Sequence, residues 1–124
     1  MKNITIAAIV ILLLFFGMVN AQENIEKNKI EFLISSVENL RGAKFIRNGS
    51  EYSGQDAAKH LRMKRQRAGD HVQTADDFIR LCASKSYNSG KPYLIRLSNG
   101  KTIKAEEYFR EKLKEYKITE RKEN

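Results

Sequence analysis

The chain is 124 residues long with a formal net charge of +8, a length that excludes more than one ordinary domain. Cys82 is its only cysteine, which excludes an intrachain disulfide, so stability must come from packing. The positive balance suits attraction to anionic surfaces but does not identify a partner.

Lys2 precedes an almost continuous apolar run from Ile4 to Phe16, and Val19-Asn20-Ala21 then supplies small or modest residues where a signal peptidase reads. This pattern predicts a secretory signal peptide over residues 1–21, cleaved after Ala21. The alternative is an uncleaved membrane anchor, but the run is well short of the roughly 20 residues that a bilayer span needs. No cysteine follows the run to accept a lipid. Cleavage removes one lysine and no acid, taking the charge from +8 to +7. About 100 residues remain, enough for a modest core.

Gln22 to Glu26 is polar and reads as a loose lead. Ile30, Leu33, Ile34, Val37 and Leu40 recur at helical spacing and predict a helix from about Glu26 to Arg41, stopped by Gly42. Lys44 to Tyr52 reads as a hairpin turned by Asn48-Gly49, since that turn wants positive φ at both central residues. Phe45 and Tyr52 are its expected inward residues. Ser53-x-x-Asp56 then fits a capping box and opens a helix. Its core face carries Ala57, Ala58, Leu61 and Ala68, and Gly69 ends it.

Thr74-x-x-Asp77 is a second capping box, opening a short helix with Ala75, Phe78, Ile79 and Cys82 on one side. Cys82 therefore reads as a small core residue. Ser84 to Pro92 is a loop by composition. Tyr93 to Leu97 and Lys101 to Lys104 form a second hairpin about Ser98-Asn99-Gly100. Tyr108, Phe109, Leu113 and Tyr116 mark a C-terminal amphipathic helix, with residues 118–124 a polar, frayed tail. The expectation is an α+β fold in one small domain over residues 22–117, in the order α-ββ-α-α-ββ-α. One antiparallel sheet of short hairpins packs against helices.

Four segments occur in order: Phe45-Ile46-Arg47-Asn48-Gly49; Ala57-Ala58-x-His60-Leu61-Arg62-x-Lys64; Thr74-Ala75-x-Asp77-Phe78-Ile79; and Ser86-x-x-Ser89-Gly90-x-Pro92-Tyr93-x-Ile95-Arg96. Together they resemble the YfeK-like family of uncharacterised bacterial proteins, catalogued as domain of unknown function 5329, over about Ile30 to Leu113. The resemblance implies a Sec-exported, periplasmic protein of a Gram-negative envelope. It implies no established activity, ligand or cofactor. Members of the family are often Ser-rich where this chain has Tyr87 beside Ser86.

Several groups of residues carry functional side chains. His60 and Lys64 stand at i,i+4 and face the Ser86–Tyr93 loop in the expected packing. A serine nucleophile needs a neighbouring base, but the simpler reading makes the pair fasteners, bonded to backbone carbonyls or to Asp77. Ser86, Ser89 and Gly90 suit either an anion-cradling loop or a plain tight turn. Metal binding finds little support, because His60 and His71 have no ligand spacing and Cys82 has no nearby partner.

Lys59, Arg62, Lys64, Arg65 and Arg67 make the central helix strongly basic. Phosphate contacts are compatible with that charge, yet export argues against nucleic acid and points to anionic envelope components or acidic proteins. The leading reading is a non-catalytic binding module without cofactor or metal. Its contact residues are Lys59, His60, Arg62, Met63, Lys64, Arg65 and Arg67 on the helix, with Ser86, Tyr87, Ser89, Gly90 and Lys91 on the loop. Asn48, Gly49, Ser53, Asp56, Thr74 and Asp77 are assigned to turns and caps. The alternative is a small envelope hydrolase or transferase that uses Ser86 or Ser89 with His60 or Lys64.

Overall fold

A computed structural model describes residues 21–124. The expected signal peptide therefore lies outside the described residues, apart from Ala21. Residues 21–38 form helix α1. Its apolar stripe works as the spacing predicts: Ile30, Leu33, Ile34 and Val37 are buried. The expected loose lead is instead helical, because Glu26 has a distant partner. Its carboxylate accepts from the backbone N–H of Ala75 at 2.8 Å and from Lys29 at 3.0 Å. The helix also stops earlier than Arg41. Asn39 N–H still reaches Ser35 O, but Leu40 N–H turns to Val37 O at 3.2 Å, and Gly42 follows at φ 70°.

Strands β1 (Lys44–Arg47) and β2 (Ser50–Tyr52) pair with Phe45 opposite Tyr52. Asn48 and Gly49 between them take φ 50° and 78°, the left-handed pair this two-residue turn demands. Helix α2 (Gly54–Ala68) follows. The Ser53 hydroxyl accepts from Asp56 N–H at 3.1 Å, but Asp56 does not reciprocate, so only half of the expected capping box forms. Ala57, Ala58 and Leu61 are buried on its inner face. Its start presses on α1, since a Cβ at Gly54 would fall against the carbonyl oxygen of Val37.

After a 3₁₀ turn at Gly69–His71, helix α3 (Ala75–Phe78) opens on a complete capping box between Thr74 and Asp77. It then widens into a π-helical turn over Ile79–Ala83. The Ser84 hydroxyl donates to Ile79 O at 2.6 Å across this wider spacing. The widening keeps Ile79, Cys82 and Ala83 in the core and leaves Leu81 40% exposed. Burial pushes the Cys82 thiol up, so it is an inert core group.

Strands β3 (Leu94–Arg96) and β4 (Thr102–Lys104) complete one antiparallel sheet in the order β2-β1-β3-β4. The two hairpins join through β1 and β3, with Phe45 opposite Ile95. Helix α4 (Ala105–Glu123) buries Tyr108 and Phe109, and Phe109 meets Phe78 edge-on at 6.2 Å. This helix runs through the segment expected to fray. Tyr116 OH donates to Glu120 at 2.8 Å, and Arg121 and Lys122 in the last turn suit the helix dipole. The α+β class and the hairpin-on-helix architecture are those expected from the sequence.

Candidate functional site

Strand alternation puts Arg47 on the same sheet face as buried Phe45, so its side chain turns toward α2 rather than toward solvent. There its Nη1 lies 2.7 Å from His60 Nε2, and its guanidinium sits 5.8 Å over the Tyr52 ring. An always-protonated guanidinium must donate, so His60 Nε2 accepts and the ring is neutral. Partial burial, followed by the charges of Arg47, Lys64 and Arg67, holds the His60 pKa below the ordinary histidine value.

One turn along α2, Lys64 Nζ donates to Tyr93 OH at 2.8 Å and to Lys85 O at 3.4 Å. It also lies 4.8 Å over the Tyr93 ring. Lys64 is thus the fastener that the sequence suggested, tying α2 to the Ser84–Tyr93 loop. His60 fastens α2 to the first hairpin instead, through Arg47 rather than Asp77.

The loop is held largely by its own backbone. Ser86 N–H bonds Lys91 O, Gly90 N–H bonds Ser86 O, and Tyr93 N–H bonds Ser84 O. Gly90 takes φ 71°. Asn48 clasps the loop from the opposite side: its Nδ2 donates to Ser86 Oγ at 3.3 Å and its Oδ1 accepts from Ser89 Oγ at 2.6 Å. Asn48 is therefore a latch as well as a turn residue.

Between the hairpin, α2, the π-helical turn and this loop lies an open cleft of about 790 Å³. Arg47, His60, Lys64, Arg67, His71 and Arg80 all line it, and among the described residues no acidic one does. Among the described residues, only Arg80 of these six has an ion pair, with Asp77 at 3.2 Å. Asn48, Ser86 and Tyr93 contribute neutral polar groups, while Leu81 and exposed Tyr87 form an apolar rim. Arg47, Lys64 and Arg67 cluster without such a partner among the described residues and favour an anion, because a ligand that neutralises them relieves their mutual repulsion.

On the far side of the Arg47–His60 contact is a second groove of about 440 Å³. Its floor is apolar, formed by Phe45, Tyr52, Ala57 and Met63, with Asp56 and Lys59 at its edge. The two depressions share Arg47 and His60 as a common wall.

The expected contact residues thus separate into groups. His60, Lys64, Arg67, Ser86 and Tyr87 line the cleft, and Lys59 and Met63 line the groove. Arg62 and Arg65 turn to α1. Arg62 pairs with Glu31 at 3.0 Å and Glu38 at 2.9 Å, and Arg65 pairs with Glu31 at 3.5 Å. Ser89, Gly90 and Lys91 shape the loop without lining the cleft. Arg47, His71, Arg80 and Tyr93 were absent from the expected contact set. Only Arg47 had a usable signal, its shared parity with Phe45.

Neither serine is hydrogen-bonded to His60 or Lys64. Both hydroxyls are engaged by Asn48, and both bases have other partners. A nucleophile needs its base within hydrogen-bond reach, so this arrangement serves binding better than acyl transfer. Among the described residues, no three His, Cys, Asp or Glu side chains gather to hold a metal.

The model of a family of unknown function, DUF5329, matches residues 24–117. The uncharacterized protein YfeK of Salmonella typhimurium is 31% identical over 93 residues, which cover 75% of this chain and 77% of that protein. No solved structure matches the chain.

Proposed function

The chain belongs to the family of unknown function DUF5329, and we propose that it is an exported, non-catalytic module of the bacterial envelope that binds an anionic group in the basic cleft. The observation that carries this reading is the cleft's lining: four Lys or Arg cations and two histidines, with no acid among them. Arg67 is the clearest element, because it lines the cleft and has no ion pair among the described residues. The periplasmic address rests on Lys2, the Ile4–Phe16 run and Ala21. No helix among the described residues is long and apolar enough to cross a membrane.

Titration with pyrophosphate, followed by calorimetry at fixed ionic strength, tests the binding. Saturable binding is expected, weakening as salt rises. Arg67→Glu should weaken it by roughly tenfold or more. Lys101→Glu, which makes the same charge change on the distant β3–β4 turn, should move it less than about twofold. Equal losses in the two variants, or no saturable binding, would refute the cleft as the site. Export is tested separately by intact mass: a periplasmic fraction lacking residues 1–21 supports it, and a cytoplasmic full-length chain refutes it.

A further inference from the structure

We propose that the ligand is a phosphate-headed amphiphile, with its head in the basic cleft and its hydrocarbon chain in the adjoining groove over Tyr52 and Met63. This rests on the anion-binding reading above and deepens it. Three observations lead to it. First, the cleft and the groove are not independent, since Arg47 and His60 form a wall shared by both. A ligand neutralising Arg47 from the cleft therefore lies directly beside an apolar trough.

Second, the trough presents apolar surface at a place where a solvated helix face would be polar. Met63 is 41% exposed amid Lys59, Lys64 and Arg67. Tyr52 beside it keeps its ring under the Arg47 guanidinium. A hydrocarbon chain laid there covers Met63 and excludes water from the Arg47–Tyr52 stack, which strengthens that contact.

Third, the charge in the cleft exceeds what one carboxylate neutralises. Arg47, Lys64, Arg67 and Arg80 converge on it with Asn48 and Tyr93 as neutral donors. That set matches a phosphate, which carries up to two charges and several acceptor oxygens. The head supplies charge complementarity and the chain supplies apolar burial. Neither half of the surface is used fully by an inorganic anion or by a neutral lipid.

A series of alkyl phosphates from butyl to octyl, kept below their micelle concentrations, tests this on the full protein by calorimetry. Complete burial of a methylene gives roughly fourfold in affinity. An open groove buries about half of each, so about twofold per methylene and about fifteenfold from butyl to octyl are expected. Met63→Ser should flatten this dependence while leaving pyrophosphate affinity within about twofold. Octyl phosphate, unlike pyrophosphate, should shift the Met63 methyl and Tyr52 ring resonances.

Equal affinity along the series with pyrophosphate binding intact would overturn the amphiphile and leave the anion site standing. Octyl glucoside binding as tightly as octyl phosphate would overturn the role of the head. A dimer dissociated by octyl phosphate would assign the groove to a second copy of the chain and overturn the proposal. Failure of every phosphate, pyrophosphate included, would remove both readings together.

Discussion

Glu26 offers the sharpest test of how the domain is held together. It lies on the first described turns of α1, is 9% exposed, and caps the start of α3 by accepting from Ala75 N–H at 2.8 Å. Glu26→Ala removes the acceptor while leaving the donor buried, for Ala75 is 2% exposed. A hydrogen bond to a charged group is worth about 1.5–3 kcal/mol, and an orphaned buried donor loses its hydration besides. The expected loss is therefore about 2–3 kcal/mol. For a domain of this size that lowers the melting temperature by about 10–20 °C. Glu26→Gln keeps an acceptor but not the charge at a helix start, and should lose about 1 kcal/mol. Equilibrium urea unfolding, followed by far-UV circular dichroism, measures both. A change below about 0.5 kcal/mol for Glu26→Ala, the range of ordinary surface substitutions, would refute the buried tie between α1 and α3.

Asn48→Gly separates the two jobs of that residue. Glycine accepts the turn's φ of 50°, so the hairpin should survive, while the latch to Ser86 and Ser89 is lost. Amide exchange at Ser86 and Gly90 should quicken by about tenfold while the β1–β2 amides stay within about twofold; equal acceleration in both would refute the separation. His60 should make stability depend on acid. Its folded pKa is depressed chiefly by burial, and then by the surrounding cations, so the unfolded chain takes up a proton first as pH falls below about 6.5. The contribution is intact above that value and is lost as pH drops through the folded pKa. Urea midpoints at about pH 7.5 and about pH 5 should differ more in the native protein than in His60→Gln; identical differences would rule this out.

What the sequence revealed was what the chain decides locally. Asn48-Gly49 specifies its turn by φ alone, and Thr74-x-x-Asp77 specifies its cap within four residues. The spacing of Ile30, Leu33, Ile34 and Val37 marks a buried face whatever lies opposite. The family was legible too, in four short segments whose order matters more than any one of them. Illegible were meetings across long stretches of chain. Glu26 looked like a solvated polar lead until Ala75 arrived opposite it. Arg62 and Arg65 looked as free as Arg67, because α1 brings Glu31 and Glu38 to them only in three dimensions. The two hairpins were both apparent, but nothing in either one says that β1 pairs with β3. The π-helical turn was hidden for a different reason: Ile79 to Ala83 has ordinary helical composition, and its width is set by packing around Cys82 and by the Ser84 bond.

The sheet order has a consequence for how the chain comes into being. β2 arrives at once beside β1, since only a two-residue turn separates them. β3 reaches the other side of β1 only after Leu94–Arg96 has been synthesised. Until then β1 offers an open row of backbone donors and acceptors, with Ile46 among them, to any strand nearby. Its pairing with β3 joins residues about 50 apart and closes late, while the first hairpin closes within microseconds. Biogenesis is thus a race between the arrival of the second hairpin and capture by a neighbouring molecule. Fragments ending before residue 94 should accumulate as aggregates rather than as smaller folded domains.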